Sequence, residues 1–81
     1  MRENRLTNPD QLVKGMVVSL CSEVYGRDRY TVDCNPYQLN SGKWFVMLTH
    51  LGSITSMEYS LDELGITMRS YMRWVDTEKP L

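Results

Sequence analysis

The 81-residue chain predicts a small, mainly β domain of five antiparallel strands, with one helical turn before the first strand and another before the last. Three observations carry that expectation. Apolar and polar residues alternate at period two through most of the chain, as half-buried strands require. Each of the five glycines stands at a different boundary between such runs, where turns favour a residue without a Cβ. Two stretches, TNPDQLVKG and SLDELG, have the residue order of capped helical turns.

Taken in order, TNPDQLVKG places Thr7 as N-cap, Pro9 in the first turn where its missing N–H costs nothing, and Asp10 at the positive end of the helix. The helical turn is expected within residues 6–14, with Gly15 stopping it. MVVSLCSEV is the first strand, with Met16, Val18 and Leu20 on one side and Val17, Ser19 and Cys21 on the other. Gly26, Arg27 and Asp28 read as a turn. RYTVDC then sets Tyr30, Val32 and Cys34 against Thr31 and Asp33, until Asn35-Pro36 breaks or bulges the strand, because proline cannot donate to a ladder. Asn40-Ser41-Gly42 is a hairpin turn into KWFVMLTH, the most apolar strand. Leu51-Gly52-Ser53 turns into SITSMEYS. In SLDELG, Ser60 and Glu63 have capping-box spacing and Gly65 ends the turn. The last strand is ITMRSYMRWV: Ile66, Met68, Met72 and Trp74 share one face, and Arg69, Tyr71 and Arg73 the other. The expectation is one domain over 1–81, with a β-barrel at 15–76 and a tail at 77–81.

This element order, the opening LVKGMVVSL and the SLDELG turn resemble the SH3-like small β-barrel superfamily across residues 13 to 76. The resemblance implies five strongly bent antiparallel strands, a short helical turn preceding the last. The ALYDY-type stretch and paired tryptophans of the SH3 domains that bind proline-rich peptides are absent, so that ligand class is not implied. The fold by itself licenses no function.

Composition narrows the function classes. Nine Lys and Arg against ten Asp and Glu give a formal charge of -1, so no global field draws the chain to nucleic acid or anionic membrane. MRENRLTNPDQL contains no signal-like apolar run and no stretch reaches membrane-spanning length, which points to an unexported, cytoplasmic protein without a membrane partner. Cys21 and Cys34 then read as free thiols, a disulfide between them being the other arrangement open to two cysteines. With His50 as the single histidine and no CxxC or HxxxH spacing, neither a metal nor a cofactor is expected. No nucleophile elbow or phosphate loop is present, Asp62-Glu63 belongs to the capping sequence, and His50 reads as a polar strand end. A non-enzyme without a small-molecule substrate is expected.

One feature exceeds what a small barrel needs. In WFVML both faces are apolar, Trp44, Val46 and Leu48 on one and Phe45 and Met47 on the other. Three arrangements answer it. Leu6, Leu12 and Val13 of the N-terminal segment fold over the second face, or a partner covers it, or the strands bend until both faces turn partly inward. If Trp44 and Trp74 both point inward, Lys43, Phe45, Met47, Arg69, Tyr71 and Arg73 form one aromatic, methionine and arginine surface of the composition that interface centres favour. The same six residues suit RNA or single-stranded DNA, with rings stacking on bases and cations meeting phosphates. Arg69, Tyr71 and Arg73 are also compatible with a plain solvated face. The leading expectation is a non-enzymatic protein-interaction module, an accessory, inhibitory or assembly factor of bacterial or phage origin, binding another protein or itself through those six residues. Binding of RNA or single-stranded DNA is the alternative.

Overall fold

A computed structural model of the chain describes residues 5–68 and 70–78. Six strands form one antiparallel sheet: β1 (Val17–Ser22), β2 (Gly26–Val32), β3 (Tyr37–Gln38), β4 (Trp44–His50), β5 (Ser56–Ser60) and β6 (Arg73–Thr77). The break at Asn35-Pro36 divides the second expected strand in two, and β2 and β3 then pair with β4 in succession. Across the sheet the order is β5, β4, β2 with β3, β1, β6. The sheet curls into a half-barrel, compatible with an SH3-like order in which the last strand returns beside the first.

The concave side holds the core. Val18, Val32, Val46, Leu48 and Val75 from the sheet pack with Leu6 and Leu12 from the N-terminal segment and with Leu61, Leu64 and Ile66 from the turn after β5. At about 25 cal/mol per Å² of apolar area, this joint burial is the main favourable term holding the sheet curled. Leu6 and Leu12 therefore plug the inside of the half-barrel; they do not fold over Phe45, and Val13 is exposed.

Both helical turns are smaller than expected. The first is a 3-10 turn over Pro9–Gln11 whose N-cap is Asn8, one residue later than Thr7. Asn8 Oδ1 accepts from the Asp10 N–H at 2.9 Å, and Gln11 Oε1 accepts from the Asn8 N–H at 2.9 Å. Three residues before an exposed chain reversal are too few to nucleate an α-helix. SLDELG forms a hydrogen-bonded turn with both halves of its capping box made: Ser60 N–H donates to Glu63 Oε1 at 3.0 Å, and Glu63 N–H to Ser60 Oγ at 3.1 Å.

Two boundaries also move. The first hairpin turns at Glu23 to Tyr25, with Gly26 (φ +82°) opening β2, so Arg27 and Asp28 are strand residues. The last strand begins at Arg73 and runs through Thr77, where a tail was expected, and the Glu78 N–H donates to Val17 O at 2.9 Å.

The late start of β6 changes its phase. Gly65 adopts φ +72°, and Ser70 Oγ accepts from the N–H groups of Met72 (3.2 Å) and Arg73 (3.0 Å), so the pleat is interrupted before β6. Alternation counted from Ile66 consequently does not carry across to Trp74. Val75 enters the core, and Trp74, of opposite parity, lies on the convex side beneath the Arg5 guanidinium, 5.7 Å from the ring centroid. The condition for a single six-residue surface, that Trp44 and Trp74 both point inward, is not met: Trp44 packs on the core cluster and Trp74 does not.

Candidate functional site

The six residues expected to act together occupy two regions. Phe45 and Met47 lie on the convex side of β4, with Lys43 just before the strand, and Tyr37 of β3 stacks on Phe45 at 6.3 Å between centroids. Tyr71 and Arg73 lie at the opposite margin of the sheet, with β2 and β1 between them and β4. Arg73 shares the parity of Val75 and so turns toward the concave side. Arg69 lies outside the described residues. Among the described residues, Tyr37 is the aromatic neighbour of Phe45, and Glu58 stands opposite Met47 on β5.

The convex stripe is tied laterally by side chains. Tyr37 Oη donates to Glu58, and that bond to a carboxylate, which favours the neutral phenol, pushes the tyrosine up to about 12. Asp33 accepts from Ser56 and from Thr49 Oγ1 (2.6 Å), and these two donors hold its carboxyl below the ordinary value. The outer residues of β5 are in this way pinned to β2 and β3 across β4.

On the convex side of β1, small residues let a polar layer close down. Ser19 and Cys21 are buried there, Ser19 Oγ donating to Glu78 Oε1 at 2.5 Å and Cys21 Sγ lying 3.6 Å from Asp76 Oδ2. Arg27 pairs with Asp76 at 3.0 Å and Arg29 with Glu78 at 3.4 Å. His50 is on the other side of the sheet, edge-on to Tyr30 at 5.1 Å and 3.7 Å from Asp28, so it and Cys21 are not brought together. Both cysteines are free thiols. Among the described residues no group of three His, Cys, Asp or Glu side chains gathers as metal ligands do.

On the concave side Tyr30 contacts the rings of both His50 and Tyr59. Tyr30 meets Tyr59 at 5.9 Å, and burial, followed by its hydrogen bond with Tyr59, pushes Tyr30 up to about 12. An open depression of about 480 Å³ lies between the N-terminal segment and the turn before β6, with Arg5, Ile66, Ser70 and Tyr71 on its wall. Arg5 is held there by donating to Ser70 O at 2.7 Å.

One exposed apolar surface is not revealed by alternation. β1 pairs with both β2 and β6 as far as Ser22, which stands opposite Gly26 and Arg73, so the β1–β2 turn and the approach to β6 meet at one end of the sheet; β4 ends with His50 opposite Tyr30, which sets the β4–β5 turn beside the middle of β2. The Glu23 N–H donates to Met72 O (3.3 Å) at the shared end, and the Leu51 N–H donates to Arg29 O (3.1 Å) where the β4–β5 turn meets the middle of β2. The shared end displays Val24, Tyr25, Tyr71 and Met72, all exposed, with Tyr25 and Tyr71 retaining 82% and 81% of their surface; Leu51, Ile54 and Met57 are exposed on the β4–β5 hairpin instead. The sequence signal for this end is Val24-Tyr25 standing in a turn before Gly26, where turn chemistry predicts polar residues.

Compared with family models, with curated proteins and with solved structures, the chain matches none.

Proposed function

We propose that this chain is a non-enzymatic protein-interaction module built on an SH3-like half-barrel, a cytoplasmic accessory, inhibitory or assembly factor of bacterial or phage origin. One observation carries the reading: four large apolar side chains, Val24, Tyr25, Tyr71 and Met72, contributed by two separate connections, are exposed together at one end of the sheet. Scattered exposed apolar residues are ordinary, but a contiguous patch of them marks an interaction site. Tyr25 and Tyr71 are the anchors, because a tyrosine buries large area while keeping a polar tip, and Arg73 beside them supplies planar charged hydrogen bonds. Lys43, Phe45 and Met47 form a second stripe on the convex side. No helix among the described residues is long and apolar enough to cross a membrane.

The RNA or single-stranded DNA alternative draws on Tyr71 beside Arg73, yet Glu23 and Asp28 stand at the same end and the whole chain has a formal charge of -1. The balance of local charge favours a protein. The test is affinity capture followed by identification of the retained protein, comparing the native chain with the triple variant Val24→Ser, Tyr25→Ser, Tyr71→Ser. Retention lost in the variant, with an unchanged melting temperature, is expected. Equal retention by both, or a salt-sensitive shift of single-stranded oligonucleotides by the native chain alone, contradicts the reading.

A further inference from the structure

The free margin of β5 is built to receive a particular strand. β5 pairs with β4 alone, in the register Phe45↔Ser60, Val46↔Tyr59, Met47↔Glu58, Leu48↔Met57 and Thr49↔Ser56. The Leu61 N–H donates to Trp44 O at 3.0 Å, which sets the phase of the ladder: pairs 61/44, 59/46 and 57/48 exchange backbone hydrogen bonds. Met57 and Tyr59 therefore spend their N–H and C=O groups on β4, while those of Ser56, Glu58 and Ser60 point away. Ser60 is already satisfied by its own turn, its N–H donating to Glu63 Oε1 and its C=O accepting from Leu64 N–H at 3.3 Å. Ser56 and Glu58 remain, and among the described residues their outward backbone groups make no hydrogen bond.

Two residues of the same outward phase, separated by one, are self-complementary about the residue between them. We infer that a second copy of this chain adds its β5 antiparallel to this one, with Met57 on the two-fold axis. Ser56 of each copy then faces Glu58 of the other, and the four N–H and four C=O groups of the two edges close four backbone hydrogen bonds. The ladder stops at Ser60 on either side, where the capping turn has used the next pair. No like charges are opposed: Glu58 meets Ser56, and Met57 meets Met57 on the concave side. The edge is also prepared, since Ser56 is held by Asp33 and Glu58 by Tyr37.

The same register covers the convex apolar stripe of β4. Ile54 of one copy falls opposite Ser60 of the other, and Ser60 pairs with Phe45 in its own sheet. The fully exposed Ile54 thus reaches over a small serine toward Phe45 and Tyr37. This inference goes beyond the interaction reading: the β5 margin is a second surface, and its occupant is a second copy of the chain.

The experiment uses the full chain. Met57→Cys in a Cys34→Ser background places a thiol on the axis, in a non-hydrogen-bonded pair whose Cα separation of about 4.5 Å suits a disulfide. Mild oxidation is expected to double the 9.5 kDa mass. The reference variant Val13→Cys, in the same background, is exposed but remote from β5. Cross-linking of Met57→Cys should exceed it about tenfold, and adding Glu58→Pro, which removes an outward N–H without touching the β4 ladder, should abolish the excess. Equal cross-linking by the two cysteine variants, or an excess indifferent to Glu58→Pro, overturns the inference. Capture of another protein through Tyr25 and Tyr71 is read separately and does not depend on Glu58→Pro, so the failure of either claim is distinguishable.

Discussion

Gly65 offers the sharpest test of how this fold is held, because two costs meet there and a second glycine separates them. Its φ of +72° is a left-handed conformation, and a Cβ added to it would stand 2.2 Å from the carbonyl oxygen of Arg73, 3.1 Å from its carbon and 3.2 Å from Ser70 Cβ. Gly52 has φ +94° and nothing within 4 Å of its added Cβ. Gly52→Ala should therefore cost only the conformational part, about 1–2 kcal/mol. Gly65→Ala adds overpacking of about 1–3 kcal/mol, at the upper end because the obstructing atoms are backbone and cannot rotate away. The sum, about 3–5 kcal/mol, is a large share of the roughly 4–12 kcal/mol that 81 residues hold at typical stability per residue. Urea unfolding followed by Trp44 and Trp74 fluorescence reads the difference. With a slope of about 1 kcal/mol per molar, the Gly65→Ala midpoint should fall by about 3 M or more, and that of Gly52→Ala by about 1–2 M. Midpoints for the two variants agreeing within about 0.5 M would refute the reasoning, because the close approach of residue 65 to the start of β6 would then carry no energy.

Two pH effects follow from the hydrogen-bonded side chains. Tyr30 is raised to about 12 against an ordinary value of 10.0, so its contribution is complete below pH 10 and is lost as pH rises toward 12, where the unfolded tyrosine ionises first. Tyr30→Phe should flatten the alkaline decline in melting temperature over that interval, and an unchanged decline would place its cause elsewhere. Asp33 has the opposite sign: its value is lowered chiefly by the Ser56 hydroxyl, so its contribution is present above the ordinary carboxylate range and lost as pH falls through its depressed value. Ser56→Ala should move the Asp33 carboxyl upward in an NMR titration, and a stationary midpoint would contradict the assigned donor.

Local chemistry determined much of this molecule from sequence alone. The Ser60 and Glu63 capping box, the hairpin at Asn40-Ser41-Gly42 and the break at Asn35-Pro36 each depend on residues within a few positions of one another, so their geometry is written in adjacent side chains. The inward parity of Trp44, Val46 and Leu48 was equally readable, because one strand preserves its own alternation. Phase across an interruption is another matter. Gly65 and Ser70 reset the pleat, and only the pairing of β6 with β1 decided that Val75 enters the core while Trp74 meets Arg5, 69 residues away in the chain. That choice also separated Arg73 and Tyr71 from Phe45 and Met47. The apolar end was beyond sequence reasoning for the same cause: Val24 and Met72 are remote in the chain, and antiparallel pairing of β1 with both β2 and β6 makes their connections neighbours. Turn chemistry and alternation are short-range and survive in the sequence. Which connections share an end, and which faces a curled sheet closes, are decided by long-range backbone pairing, for which no local pattern of side chains stands in.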